Sequence, residues 1–478
     1  MKFPLLAKTG AIALVGLMLV LVLGRIEGLV WERKARGEEA ARGVEHSHAA
    51  AQSVLGPVLE RSCVEEWDVA TGTGKDRVVN TSRREFRLQQ VPSRLAVDSR
   101  TKADPLWRGL FKVNAWVGHF TVAADFATFA PLQPRLEHPE GRLQCSAPLL
   151  MVALSDVRGV RAATVSADGK ALAVEPGTGS PAYASGLHAT LPAARVDGDA
   201  AQPLSLHLEL DLVGTSQLAW VPAADSLRWT LNADWPHPSF GGQFAPEQRE
   251  VRPDGFSATW NLSALATTAP ADVSRALSLC APGPVVSAAE PSDDGSGKSD
   301  KCLDLMSVAF IDPVNPYVLS DRAIKYDLLF IALTFIAVGL IEVLSGRRVH
   351  PVQYLLVGLA LSLFFLLLLS LSEHLPFMQA YAVASTACAV LLGTYAASML
   401  GRRLAGAMFG LGIALLYGLL YVLLQMEQNA LVIGSVMLFA ALATVMMLTR
   451  GIDWYALFGR LRSNGEPMKT ARADGSAA

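Results

Sequence analysis

Hydrophobic positions are laid out along this chain in two different ways. Near its start and over its last third they form long unbroken runs; between them they alternate with polar residues over short stretches. The runs are Thr9–Gly24, then Asp327–Leu344, Val352–Leu371, Gln379–Leu400, Ala405–Gln425 and Leu431–Leu448. About 20 apolar residues in a helix cross a hydrocarbon layer of about 30 Å. Only a helix or a closed barrel satisfies its own backbone there. The pattern predicts a membrane protein with six α-helical transmembrane spans, one N-terminal anchor plus a five-helix C-terminal bundle.

The first run has two readings. Lys2 and Lys8 before it suit a cleavable signal peptide. No small-x-small site follows, however, and Gly24–Trp31 carries the apolar character on to an interfacial Trp, as a retained anchor does. Charge then sets orientation. Arg347 and Arg348 lie in one connection, Arg402 and Arg403 in another, and Arg450, Arg460, Arg462, Lys469 and Arg472 follow the last run. The connections around Glu373-His374 and Met426–Asn429 hold no Lys or Arg. Positive connections stay in the cytoplasm, so both chain ends are expected inside and the region between the first two spans outside. The expected division is 1–30 anchor, 31–326 exported domain, 327–448 bundle and 449–478 cytoplasmic tail.

Within the exported region, Trp31–Val54 reads as a helix continuing the anchor, with acid–base pairs three and four apart. Beyond Gly56 the chain reads as short strands. Leu204, Leu206, Leu208, Leu210 and Leu212 alternate with Ser205, His207, Glu209 and Asp211, and Phe86–Val91 has the same period. Leu110–Phe129 reads as one long or two broken strands. Val160–Val174 reads as a hairpin turning at Ala167-Asp168-Gly169. Further strands fall at Leu218–Val221, Ser226–Ala233 and Ser257–Leu262, while Pro176–Ala201 reads as loops around Leu187–Leu191. The sum is a large, mainly antiparallel β domain, sandwich-like rather than α/β.

Composition changes the picture only where it is divided. The chain is 51% hydrophobic with a net charge of −2, an average over two unlike regions. Neither a basic tract nor aromatic–basic interleaving points to nucleic acid. Four of the five cysteines, Cys63, Cys145, Cys280 and Cys302, fall in the exported region. Export favours disulfides. Cys280–Cys302 brackets the Pro/Gly/Ser/Asp-rich insertion Ala281–Lys301, and Cys63–Cys145 follows by elimination. Metal ligation is the competing reading, but no CxxC or suitable His pair accompanies them; His46 and His48, two apart on the expected helix, face different ways. No metal and no cofactor is expected.

The most distinctive string is Asp234-Trp235-Pro236-His237-Pro238-Ser239-Phe240-Gly241-Gly242. Asp234, His237 and Ser239 are the residue types of an acid–base–nucleophile set. The competing reading is a rigid loop pinned by Trp235, and no nucleophile elbow marks the serine. Asp312, within Phe310–Tyr317, marks a proline-stiffened junction to the bundle. No ionisable group lies near the middle of any run; Glu342 is near one end, and Glu373, His374 and Glu427 near the other. Carriers usually keep such groups at midplane. Small residues in the third and fourth bundle runs, such as Ala384, Gly393, Gly406 and Gly410, suit close helix packing.

Several strings, taken in order, resemble the CreD family of inner-membrane proteins, described as cell-envelope integrity proteins. They are Asp234–Phe240, Gly255-Phe256-Ser257-Ala258-Thr259-Trp260, Phe310–Val314, Ala323–Phe335, His350–Ala360, Leu371-Ser372-Glu373-His374, Leu415–Gln425 and Leu448–Tyr455. The N-terminal 200 residues resemble the family less. The resemblance implies an inner-membrane location, which makes the side to which charge assigns the large domain the periplasm. It also implies links to envelope stress, colicin tolerance and β-lactam response, and it brings no catalytic residues. The reading is a non-enzymatic envelope protein whose partners are membrane lipids and an unknown periplasmic or envelope component. The alternatives are lipid or lipid-linked-sugar handling in a groove between domain and bundle, near Asp312, Glu373, His374 and Glu427, and a hydrolase centred on Asp234 and His237.

Overall fold

A computed structural model describes residues 3–71, 78–197, 202–282, 301–312, 316–345, 349–425 and 430–450. Arg347, Arg348, Glu427, the basic residues from Arg460 onward and most of the Ala281–Lys301 insertion lie outside these. The chain forms two compact units, Met1–Arg36 with Val314–Ala478, and Gly37–Pro313. The first boundary falls inside a single helix, α1 (Phe3–Ser47).

In the second unit α1 gives way to strands. The order is β1 (Gln52–Thr71), β2 (Val78–Gln90), β3 (Arg94–Ala103), β4 (Leu106–Arg108), β5 (Phe111–Val113), β6 (Ala115–Phe126), β7 (Arg142–Cys145), β8 (Leu149–Leu154), β9 (Val160–Ala167), β10 (Lys170–Leu172), β11 (Val174–Pro176) and β12 (Gly186–Thr190). After helix α2 (Ala193–Asp197) come β13 (Leu204–Thr215), β14 (Gln217–Trp220), β15 (Ser226–Ala233), β16 (Pro238–Gly242), β17 (Gln248–Arg252) and β18 (Gly255–Ser263), then helix α3 (Ala269–Ser274) and β19 (Met306–Phe310).

Two large sheets result. One runs β11-β12-β8-β1-β14-β19-β16, with β2 and β7 also on β1; the other runs β10-β9-β13-β6-β3-β15-β18-β17. Both are mixed rather than purely antiparallel, because β1 pairs parallel with β14 and β15 parallel with β3. Their facing sides share one core, including Trp116, Phe120, Trp220, Trp229 and Trp260. The eight-stranded sheet turns its other side to water. On β13 Leu204, Leu206, Leu208, Leu210 and Leu212 are buried, and Ser205, His207 and Glu209 exposed. The nine-stranded sheet is covered on both faces, since Leu55, Val58, Met151 and Ala219 pack with Ala269 and Val273 of α3 in a second core.

That double burial corrects several sequence expectations. β1 is a single 20-residue strand, not short segments. Its parity reverses at a bulge between Leu55 and Val58, where Gly56 takes φ +112° and a Cβ would stand 2.8 Å from the Met151 carbonyl oxygen. The helix expected to reach Val54 ends at Ser47, because Gln52, Ser53 and Val54 pair with β14. The apolar stretch from Leu187, expected with loops around it, belongs to β12 and pairs with β8 through Thr190. Of the two readings of Leu110–Phe129 the broken one holds, as β5 and β6, with Leu110 in a turn. The hairpin β9–β10 turns at Asp168-Gly169 as expected, both at positive φ.

Both disulfides are present, Cys63–Cys145 across the paired strands β1 and β7, and Cys280–Cys302. Cys388 is buried and free.

The first unit holds the apolar part of α1 with α4 (Pro316–Ile324), α5 (Asp327–Ser345), α6 (Pro351–Ser372), α7 (Phe377–Leu400), α8 (Arg403–Gln425) and α9 (Ala430–Thr449). Each expected run is a helix. Among the described residues, however, four are long and apolar enough to cross a membrane: α1, α6, α7 and α8. A fifth is counted if α4 and α5, bent by 45° at their break, make one span, and α9 contains the shorter apolar stretch Gly434–Met447. Of the six expected spans, four stand as candidates by length and composition among the described residues. α4 belongs to this helical unit, although it falls inside the expected 31–326 domain. α6 starts on a capping box of His350 and Gln353, and α7 stops at Gly401, φ +61°.

Candidate functional site

The distinctive loop lies at one end of the β domain, where β15 leads into β16. Trp235 is buried and donates from Nε1 to the Ile311 carbonyl at 2.8 Å; its ring meets Phe310 edge-on at 6.0 Å. Asp234 accepts the Ala103 backbone N–H at 2.6 Å, tying β15 to the end of β3. The His237 carbonyl accepts the Ile311 N–H, and Ser239 pairs with Ala309 inside the sheet. Among the described residues no hydrogen bond joins the side chains of Asp234, His237 and Ser239. The His237 side chain is exposed.

Asp312 joins the same end. Its carboxylate takes Lys112 of β5 at 3.2 Å, and that ammonium also stands 5.7 Å from the centre of the Trp235 ring. Asn114 donates to the Phe310 carbonyl at 3.0 Å. The arrangement closes the domain where the chain leaves it. In the helical unit Glu373, at the end of α6, pairs with Arg33 at 3.4 Å, while Lys8 pairs with Glu342, which also accepts from the Tyr354 hydroxyl at 3.2 Å. His374 is exposed just past α6. These two pairs thus join α1 to the C-terminal ends of α5 and α6.

One cluster escapes the sequence reading. Glu65, fully buried on β1, accepts the backbone N–H groups of Glu137 and His138 at 2.9 and 2.8 Å. Its other oxygen lies 3.5 Å from Arg84 on β2, and Arg84 also pairs with Glu137. His138 stacks on Trp67 at 3.8 Å. Glu65, Glu137 and His138 bring two carboxylates and an imidazole within 4.8 Å of one another. The Arg84 guanidinium already contacts both carboxylates, and Glu65 is spent on backbone donors. The residues therefore fit an internal ion cluster better than a metal seat, and no metal chemistry is derived from them. The only sequence signal was a Glu sharing a strand face with Cys63 and Trp67.

Fold and site together define a class: a polytopic membrane protein carrying a two-sheet β domain between its first apolar helix and the others. Comparison narrows this further. The family described as "Inner membrane protein CreD" matches residues 4–455. Inner membrane protein CreD of Escherichia coli K12 is 33% identical over 458 residues, 95% of each chain. The chain belongs to the CreD family and is a multi-pass inner-membrane protein. Among solved structures, an M1 zinc metallopeptidase from Deinococcus radiodurans matches 36% of this chain and 38% of its own at 11% identity. With a TM-score of 0.17, that likeness carries no argument.

Proposed function

We propose that the protein is a non-enzymatic component of cell-envelope integrity, holding its β domain in the periplasm to bind another envelope component. The observation that carries this reading is the extent of the family relationship. It covers 95% of both chains and so includes the β domain as well as the helices. In this reading the chain crosses the membrane six times, with α4–α5 and α9 as the fifth and sixth crossings, and both ends are cytoplasmic. Two features support the orientation. Both disulfides lie in the domain assigned to the oxidising side, and the arginines cluster on alternate connections.

The orientation is tested with a reporter fused near residue 200 in the full chain. Alkaline phosphatase there is active if the domain is exported, and a fluorescent protein that matures only inside the cell stays dark; the reverse pair overturns the reading. Partner binding is tested by crosslinking from the domain in intact cells and identifying what is captured. A hydrolase centred on Asp234 and His237 predicts instead that His237→Ala abolishes function while membrane abundance is unchanged. Wild-type behaviour of that variant removes the hydrolase.

A further inference from the structure

The hairpin β4–β5 belongs to neither large sheet and turns an uncommon set of side chains outward. Arg108 pairs with Phe111, leaving Gly109-Leu110 as a two-residue loop with Gly109 at φ +63°, a backbone suited to glycine. Trp107 is 66% exposed and Leu110 49%. Along the chain, residues 100–113 carry Arg100, Lys102, Arg108 and Lys112 against a single acid, Asp104, so this stretch is cationic. Arg100 and Lys102 also border a groove with Asp234, Glu250 and Asp254. A lone exposed Leu needs no explanation. An exposed Trp and Leu at one tight turn, in a stretch of chain rich in Arg and Lys, have the composition of a segment that enters a headgroup layer.

The chain path supplies an independent observation. One side of the hairpin packs on the last turns of α1, with the Phe111 ring against Gly37 and the Arg108 guanidinium beside Gly43. Gly37 follows six residues after Trp31, the interfacial Trp of the apolar helix. From the other side Lys112 holds Asp312, the last described residue before α4. The hairpin is thus bound both where the chain enters the β domain and where it leaves. Each of those points lies a few residues from apolar helix.

From this we infer that the β4–β5 hairpin docks on the surface of the bilayer that carries the helical unit. Trp107 and Leu110 enter the headgroup–acyl boundary, and Arg100, Lys102 and Arg108 meet the phosphates of anionic lipid. This attachment is additional to the helices and independent of any protein partner of the domain.

Spin labels on single cysteines test it in the full chain, in nanodiscs containing phosphatidylglycerol. The labelled positions are Trp107→Cys and Leu110→Cys, with Leu265→Cys as reference. Leu265 is 98% exposed and follows β18 near Ser263, which pairs with Ser226 opposite Arg94, at the far end of β3 from the hairpin. Four native cysteines are bonded and Cys388 is buried, so the unmodified protein sets the labelling background. The expected result is an oxygen-to-nickel-complex accessibility ratio several-fold higher at 107 and 110 than at 265, falling when phosphatidylcholine replaces phosphatidylglycerol. A ratio equal to that at 265 overturns the inference. So does a label shielded from both reagents, which would mean that protein covers the hairpin, and so does an excess untouched by the lipid exchange.

Discussion

In the β domain the largest side chains sit at the centre, whereas one seam of the helical unit, between α7 and α8, is lined by the smallest. Trp116, Trp220, Trp229 and Trp260 are all but fully buried between the sheets. Between α7 and α8 the closest approach is made by Gly393, Ala397, Gly406 and Gly410; a Cβ on Gly410 would stand 3.1 Å from the Gly393 Cα. The solvent explains the contrast. Water rewards burial of aromatic area. Lipid does not distinguish one apolar helix face from another, so helices associate by close backbone approach and a few hydrogen bonds. One such bond is that from the Tyr381 hydroxyl to the Tyr417 carbonyl at 2.6 Å.

If the aromatic core is what holds the β domain, its loss gives the largest effect. Trp229 stacks on Trp260 at 4.4 Å and donates to the Ser99 hydroxyl at 2.9 Å. Trp229→Ala is expected to destabilise the domain by about 3–5 kcal/mol. Tryptophan fluorescence during denaturant unfolding of the purified protein measures this, while far-ultraviolet ellipticity follows the helices. A matching loss of helical stability would mean that the two units do not unfold separately. Disulfides come next. Cys63–Cys145 closes a separation of 82 residues and Cys280–Cys302 one of 22. Loop-closure entropy gives about 4.5 and 3.4 kcal/mol for the two. The paired Cys→Ser variants should therefore rank in that order by melting temperature. The reverse ranking would show that chain closure is not the controlling term.

How much of this was legible in the sequence follows the same contrast. β13 could be read residue by residue because one face meets water and the other the core. β1 could not, because Val54-Leu55 and Val58-Leu59 are buried on opposite faces and leave no alternation. The end of α1 was placed too late because Ala49-Ala50-Ala51 favours helix, whereas pairing with β14 draws the next residues into the sheet. Helices of the membrane unit stood out by length and hydropathy, yet the break between α4 and α5 carries no Pro or Gly to announce it. Cysteine pairing was legible from position alone. The Glu65 cluster was not, since Glu65, Arg84 and His138 meet only through tertiary structure. Asp234 belongs to the set weighed for chemistry and Trp235 to the competing reading of a rigid loop, and the structure shows both tying strands together.

Glycines separate packing from mere apolarity in the helical unit. Gly406 lies against Ala397, with no room for a side chain, whereas Gly418 has open space. Gly406→Leu is expected to cost about 1–3 kcal/mol through overpacking, and Gly418→Leu close to nothing. Thermal stability in detergent, followed by helical ellipticity, compares them directly. Equal behaviour of the two variants would remove the close α7–α8 approach as the feature holding this unit.

The smallest effect is expected where charge, not area, holds the β domain to the end of α1. Asp156 accepts from Ala50 N–H at 2.9 Å and from Arg158 Nη2 at 2.6 Å, while Arg158 also donates to the His46 carbonyl. Burial pushes this carboxyl up, but the Arg158 and Ala50 hydrogen bonds outweigh it and hold the group below its usual range. A carboxylate so depressed adds stability above its unfolded pKa of about 3.9 and loses it as pH falls through the lower folded value. Asp156→Asn keeps an acceptor and removes the charge, so at neutral pH it should cost about 1 kcal/mol, the difference between charged and neutral hydrogen bonds. Melting of wild type and variant from pH 7 down to acid should show a steady gap that narrows once pH drops below about 4. A gap that stays constant into acid would mean that the contact stabilises by shape alone, and this part of the β domain would then be held, like its core, without help from charge.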